Sequence, residues 1–289
     1  MEILNLLRVR QWYKNLLVYL PIIFSGNLFS LKLLALTTTG FIALCIISSS
    51  QYIINDIKDA QKDRLHPEKR HRPIAAGRIS KLSAIIISLI LLAIGIGVSF
   101  KLSAAFALAA TSLFLISMIY TFWLKNIAIA DVMAISTNFV LRAASGAFLI
   151  DVRISPWLIL GIFFLAWFLV TGKRHAEVMF LGKKAEKIRK TLTIYTKDLT
   201  YGLMIISTTA LAMCYALYSF FSEHDGLLLT LPFALYTILR YFMHVLQGDD
   251  IARNPERAVT DKKLLLSAAL WAAITFIIIY KETLLNTII

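Results

Sequence analysis

The sequence predicts an all-α protein whose solvent is the lipid bilayer, built as a bundle of nine transmembrane helices. Three observations carry that prediction. The 289 residues are 58% hydrophobic with a mean hydropathy of +0.73, too apolar for a water-soluble domain of this length. Nine apolar stretches stand out, at 16–29, 36–54, 82–100, 103–123, 132–150, 156–171, 203–221, 227–246 and 264–280. At about 20 residues per span they use about 180 residues, so only short loops remain and one domain covers 1–289. The third observation is charge. When loops are assigned alternately to two sides, the side of the N-terminus collects 24 of the 30 Lys and Arg. The opposite side holds Lys32, Lys101, Arg153 and Lys281, and Arg142 and Arg240 lie in spans or at their ends. By the positive-inside tendency, a multi-pass protein of the inner or plasma membrane is expected, with its N-terminus cytoplasmic.

A net charge of +13 does not imply nucleic acid here, because the cations cluster at span ends. Cys45 and Cys214 fall inside helices, and neither they nor the five scattered histidines show metal-ligand spacing, so no disulfide or zinc site is expected. No small-residue cleavage site follows Arg8, Arg10 and Lys14, so no cleaved signal peptide is expected.

The first element, Arg8-Val9-Arg10-Gln11-Trp12-Tyr13-Lys14-Asn15, mixes cations with the aromatics of an interfacial anchor. Lys14 and Asn15 stand where the first span enters the bilayer, within reach of a phosphate held nearby. The second span runs without a break into Asn55-Asp56-Ile57-Lys58-Asp59-Ala60-Gln61-Lys62-Asp63-Arg64. If the helix continues, Asp56, Asp59 and Asp63 sit at i, i+3 and i+7 with Asn55 beside them, so four oxygen-bearing side chains share a face. Stacked carboxylates repel unless a cation joins them, and hard oxygen ligands suit Mg²⁺, which keeps other positions for water and phosphates. Ser48, Tyr52, Asn55 and Asp59 continue the polar line into the membrane, where polar groups face a bundle interior or a wet cavity. A central cavity open to the cytoplasmic side follows. The loop after Asp63 carries Arg64, Lys69, Arg70, Arg72 and Arg78, donors able to clamp phosphate oxygens, and its prolines and glycine break the helix. Together these residues read as a magnesium-diphosphate site at a membrane surface.

Further along, Gly95 and Gly97 permit close helix approach, and Tyr120-Thr121-Phe122-Trp123-Leu124-Lys125 forms an aromatic and basic edge on the same side. Asp131, Asn138, Arg142 and Ser145 share a narrow arc of the fifth span. Arg142 lies eleven positions, roughly 16 Å, from Asp131, and a charge that deep faces a partner or a cavity. A carboxylate on another span and a phosphate-bearing substrate both remain open as that partner. After the sixth span, Lys173 and Glu177 are expected on one face with Arg174 about 100° away, followed by a second cationic segment at 183–197. Arg240 and Tyr241 close the eighth span, and the loop around Pro255 is expected to be structural.

The pattern Asn55-Asp56-x-x-Asp59-x-x-x-Asp63 resembles the NDxxDxxxD motif of the UbiA superfamily of intramembrane prenyltransferases, nine-helix proteins that carry it at the cytoplasmic end of the second helix. It matches at every defined position, and the resemblance runs over the whole chain. Typical members bear a second aspartate-rich motif after the sixth helix. This sequence departs there, with the basic Thr171-Gly172-Lys173-Arg174-His175-Ala176-Glu177. That departure is similar to the decaprenyl-phosphate phosphoribosyltransferase branch, as are Arg8-x-x-Gln11-Trp12-x-Lys14-Asn15, Phe139-Val140-Leu141-Arg142, Arg240-Tyr241 and Pro255-Glu256.

The resemblance implies transfer of 5-phosphoribose from 5-phosphoribosyl 1-diphosphate to a polyprenyl phosphate, with release of diphosphate. It implies Mg²⁺ on Asn55, Asp56, Asp59 and Asp63, catalytic roles for the three aspartates, Arg142 and Lys173, and substrate contacts from Lys14, Asn15, Asn55, Arg64, Arg72, Tyr120, Lys125, Asp131, Arg142, Lys173, Arg174, Glu177, Arg240 and Tyr241. Partners would be the two substrates and membrane lipid, not nucleic acid, and a homo-oligomer is compatible with the reading. A prenyltransferase acting on an aromatic or lipid acceptor is the nearest rival and would need acidic groups where Lys173 and Arg174 stand. A transporter would call for internal repeats, and a lipid-binding protein would leave the stacked aspartates without a purpose.

Overall fold

The computed structural model describes residues 2–65, 67–181 and 190–288, and among these there is no strand. The chain forms two compact units, Met1–Ile154 and Ser155–Ile289. Eight helices among the described residues are long and apolar enough to cross a membrane, which makes it an integral membrane protein.

In the first unit a short helix α1 (Glu2–Leu6) leads into a 3₁₀ helix, Val9–Tyr19, and then α2 (Leu20–Phe24). The ninth expected span, the first apolar stretch, takes this 3₁₀-then-α form and is not among the eight, so the count of nine is not confirmed. A 3₁₀ helix repeats every three residues, so Trp12, Asn15 and Val18 stack on one edge. Trp12 donates from Nε1 to Ser49 at 3.1 Å, Asn15 donates to Cys45 Sγ at 3.3 Å, and Val18 is fully buried.

The unit's long helix is α3 (Leu31–Leu65), beside α4 (Lys81–Leu102), α5 (Ala104–Phe122) and α6 (Ala130–Ile150). Val18, Ile22, Leu44, Ile47, Phe106 and Leu149 make its main core. A smaller core of Leu6, Ile53, Ala60, Ile74 and Ala84 packs α1 and the 67–80 loop onto α3. Two glycines set the spacing. A methyl at Gly95 would stand 2.5 Å from Ile47, and one at Gly146 would stand 2.1 Å from the carbonyl oxygen of Val18. Gly97, expected to share that work, has nothing within 4 Å of such a methyl. Ser50 and Ser88 complete the α3–α4 contact at 2.8 Å.

The second unit holds α7 (Pro156–Leu181), α8 (Lys197–Phe220), α9 (Leu231–Gln247), α10 (Asp250–Arg253) and α11 (Lys262–Ile288). Phe168, Ala176, Met204, Tyr241, Phe242, Val245 and Leu264 form its core. Helix α7 continues ten residues past the expected end of the apolar stretch at 171, so the Lys173–Glu177 stretch is helical, as its expected shared face requires. Of the second cationic segment, residues 183–189 lie outside the described residues. Beyond them Thr196 caps α8, its hydroxyl accepting from the Leu199 amide at 3.1 Å. Both cysteines are buried free thiols.

Candidate active site

Helix α3 does continue through the acidic stretch, so Asn55, Asp56, Asp59 and Asp63 occupy the shared face that their spacing predicts. Each carboxylate meets a cation from a different element. Asp56, 3% exposed, accepts from Arg8 Nε at 3.0 Å and from a second nitrogen of the same guanidinium. Arg72 lies across the same face, donating from Nη1 to Asp56 at 3.1 Å and to Asp63 at 2.6 Å. Asp59 accepts from Lys125 Nζ at 2.6 Å, and Asn55 accepts from Thr121 at 3.5 Å. Burial and the neighbouring Arg8 push Arg72 below the ordinary guanidinium value, while Asp56 and Asp63 oppose that shift.

The basic edge at the end of α5 is therefore joined to the acidic row through Lys125, whereas Tyr120, half-buried on the same edge, makes no hydrogen bond among the described residues. Arg64 already has a partner in its own loop. It is exposed and donates to the Ala75 carbonyl at 3.0 Å, which ties down its own loop. Sequence reasoning missed Arg8 as a site residue. Its backbone sits at φ 50°, a conformation unfavourable for a side-chain-bearing residue and common at functional positions. Its place in the cationic N-terminal segment, at the head of the Arg8-x-x-Gln11-Trp12-x-Lys14-Asn15 pattern, is the signal that could have found it.

Deeper along α3 lies a second polar group. Arg142, 5% exposed, donates from Nε to Asn15 Oδ1 at 2.8 Å and from Nη1 to the Asn138 carbonyl at 2.9 Å. Ser48 also donates to Asn15 Oδ1, at 3.2 Å. Among the described residues no carboxylate lies within ion-pair distance of Arg142. That rules out the internal salt bridge left open by the sequence, and Asp131, itself fully buried, is not its partner. Lys14 Nζ and the Arg8 guanidinium both lie over the Tyr52 ring, 5.9 and 5.1 Å from its centroid.

The second unit arranges its charges otherwise. Arg174 donates to Glu177 at 2.8 Å, an i, i+3 pair on α7. Arg240 is held by Asp261 at 2.8 Å, and Tyr241 packs edge-on against Phe168, centroids 5.5 Å apart. Asp261 accepts from His244 Nε2 and from the amides of Lys263 and Leu264 at the start of α11. The His244 bond first, then these amides and Arg240, hold its carboxyl well below the usual range against the opposing effect of burial. Asp250 is likewise depressed, with bonds from Asn254 and Arg257 outweighing desolvation.

The donor set on α3 suits Mg²⁺ chemically. Among the described residues no three His, Cys, Asp or Glu side chains form a ready coordination cage. Mg²⁺ does not require one, since it binds through one or two carboxylates together with water and substrate phosphates. The row therefore fits a cation that arrives with a diphosphate, while Arg8, Arg72 and Lys125 balance the carboxylates meanwhile.

Residues 18–259 match the model of the UbiA prenyltransferase family. The chain is 33% identical over 287 residues to the decaprenyl-phosphate phosphoribosyltransferase of Mycolicibacterium smegmatis, spanning 93% of this chain and 89% of that one. Against the protein of the same description from Corynebacterium glutamicum, identity is 33% over 285 residues, spanning 95% and 85%. Among solved structures, a UbiA homolog from Archaeoglobus fulgidus bound to DMAPP and Mg²⁺ superposes with a TM-score of 0.76 at 20% identity, over 96% of this chain and 99% of the other. That likeness is one of fold.

Proposed function

Since the chain belongs to the UbiA prenyltransferase family, a family of membrane transferases, we propose that it moves 5-phosphoribose from 5-phosphoribosyl 1-diphosphate to a polyprenyl phosphate, with its N-terminus and reactive loops on the cytoplasmic side of the plasma membrane. The observation that carries this reading is the acidic row of α3, each carboxylate matched to a cation that can be exchanged, with Arg142 of α6 buried at the depth of Ser48 and without a carboxylate partner among the described residues. The relatives' shared description supports the choice of substrates.

Asp56, Asp59 and Asp63, supported by Asn55, would hold Mg²⁺, whose charge would neutralise the leaving diphosphate. Arg8, Arg72 and Lys125 let go of the carboxylates and turn to phosphate oxygens, as guanidinium and ammonium groups readily do. A phosphate oxygen of the lipid attacks C1 of the ribose on the face opposite the diphosphate. The C1–O bond to diphosphate breaks, its electron pair leaves with that oxygen, and a C1–O–P link to the lipid forms. The nucleophile is already an anion and needs no strong base. Lys14 and Arg142 clamp phosphate, and Lys173 and Arg174 receive the lipid's phosphate, where a prenyl diphosphate enzyme would place acids and metal. The whole chain acts as one catalytic domain.

Membranes containing the protein, incubated with radiolabelled phosphoribosyl diphosphate, Mg²⁺ and polyprenyl phosphate, are expected to yield a chloroform-soluble labelled lipid. Label entering lipid only from prenyl diphosphate plus an aromatic acid would replace this reading with the prenyltransferase one.

A further inference from the structure

We infer that Arg142 and Lys14, with Asn15 and Tyr52, form a separate metal-free subsite that takes the 5-phosphate of the sugar donor. The inference rests on the function proposed above and divides its phosphates between two levels of α3. The upper level, from Asp56 to Asp63, pairs every carboxylate with a cation. The lower level has cations and no carboxylate: among the described residues neither Arg142 nor Lys14 has an acidic side chain within ion-pair distance.

A buried guanidinium is normally paired, because an uncompensated charge in a low-dielectric site is costly. Here its neighbours are the neutral Asn15, Ser48 and Cys45 and the Asn138 carbonyl. That set positions the charge without neutralising it. The missing counter-charge is supplied by a ligand.

Position decides which anion. Ser48, which shares Asn15 with Arg142, lies eight residues before Asp56, so the two levels are about 12 Å apart along the helix. Tyr52 stands halfway, with Arg8 over its ring from the upper level and Lys14 from the lower. A ribose with anions at both C1 and C5 bridges such levels, the diphosphate above and the phosphomonoester below. The lipid's phosphomonoester has the same chemistry but trails a long apolar tail. Beneath the lower level the unit is closed by Val18, Leu44 and Ile47, all fully buried, and by the α6 backbone pressed onto Val18 at Gly146. A compact sugar phosphate ends there without difficulty, and a polyprenyl chain does not.

The test is calorimetric titration of the detergent-purified full chain and its Arg142→Gln and Lys14→Gln variants. Three probes are used, each with Mg²⁺: phosphoribosyl diphosphate, inorganic diphosphate and a short polyprenyl phosphate. Arg142→Gln is expected to weaken phosphoribosyl diphosphate at least about tenfold, the loss typical of a charged hydrogen bond, while diphosphate changes by less than about twofold and polyprenyl phosphate is unaffected. Retained diphosphate binding shows that the variant is folded; should Arg142→Gln not fold, Lys14→Gln decides by the same pattern. Equal weakening of both diphosphates would overturn the assignment by placing these cations in the metal site, and selective loss of polyprenyl phosphate would overturn it in favour of the lipid. Wild-type protein that binds a prenyl diphosphate but not phosphoribosyl diphosphate would instead remove the parent reading, and this inference with it.

Discussion

In the first unit, carboxylates on a single helix are matched by cations up to 66 positions away in the chain, and one buried cation has no carboxylate among the described residues. In the second, charged pairs close turns and caps within 21 positions: Arg174 with Glu177, Asp250 with Arg253 and Arg257, and Asp261 with Arg240 and His244. The same residue types serve different ends. Short-range pairs fix where helices start and stop, whereas the long-range set gathers donors and acceptors on one face, where a ligand can compete for them.

If that contrast is sound, its two halves respond to different insults. Chelation of divalent cations should abolish turnover and leave the melting temperature of the substrate-free protein unchanged, because Arg8, Arg72 and Lys125 already balance the acidic row. A large drop in melting temperature on adding EDTA would show a resident structural metal instead. Asp59→Asn should lower turnover about 10²- to 10³-fold, the range for losing one charge-stabilising group, with thermal stability nearly kept since Asp59 is only half-buried. Retained full activity would refute the metal assignment.

Gly146→Ala brings a methyl against a backbone carbonyl and should destabilise by about 1–3 kcal/mol, read as a lowered melting temperature. It should also impair phosphoribosyl diphosphate binding, because α6 carries Arg142. Asp261→Asn should reduce stability by about 1 kcal/mol through the weakened cap, with turnover per folded molecule preserved. The folded Asp261 carboxyl lies below its unfolded value, so its contribution is present above about pH 4 and fades as the pH falls toward the folded value. An acid melting series should therefore show wild type losing its advantage over Asp261→Asn below that point. Smallest of all, breaking the exposed Arg78–Glu2 pair with Glu2→Gln should change stability by less than about 1 kcal/mol.

Much of this was legible in the chain itself, for reasons that are local. Three aspartates at i, i+3 and i+7 share a helix face wherever the helix continues, and an arginine eleven residues inside a span has to face inward; the structure bears out both. Partner choice was not legible. Arg8 with Asp56 and Lys125 with Asp59 span 48 and 66 positions, separations that leave no periodic trace. Within a single turn, too, a 100° offset did not announce that Arg174 would reach Glu177, as it does at 2.8 Å. The winding of the first apolar stretch was not legible either, because hydropathy does not distinguish a 3₁₀ helix from an α-helix.

That winding has a consequence for insertions and deletions. An α-helix nearly restores its facing after seven residues, whereas the Val9–Tyr19 segment restores it after three. Adding or removing a whole triplet there would carry the edge of Trp12, Asn15 and Val18 onto itself, while a single-residue change would swing it by about 120° and turn the amide of Asn15 away from Arg142. Length variation among natural or engineered versions of this chain should accordingly fall in threes between Arg8 and Tyr19.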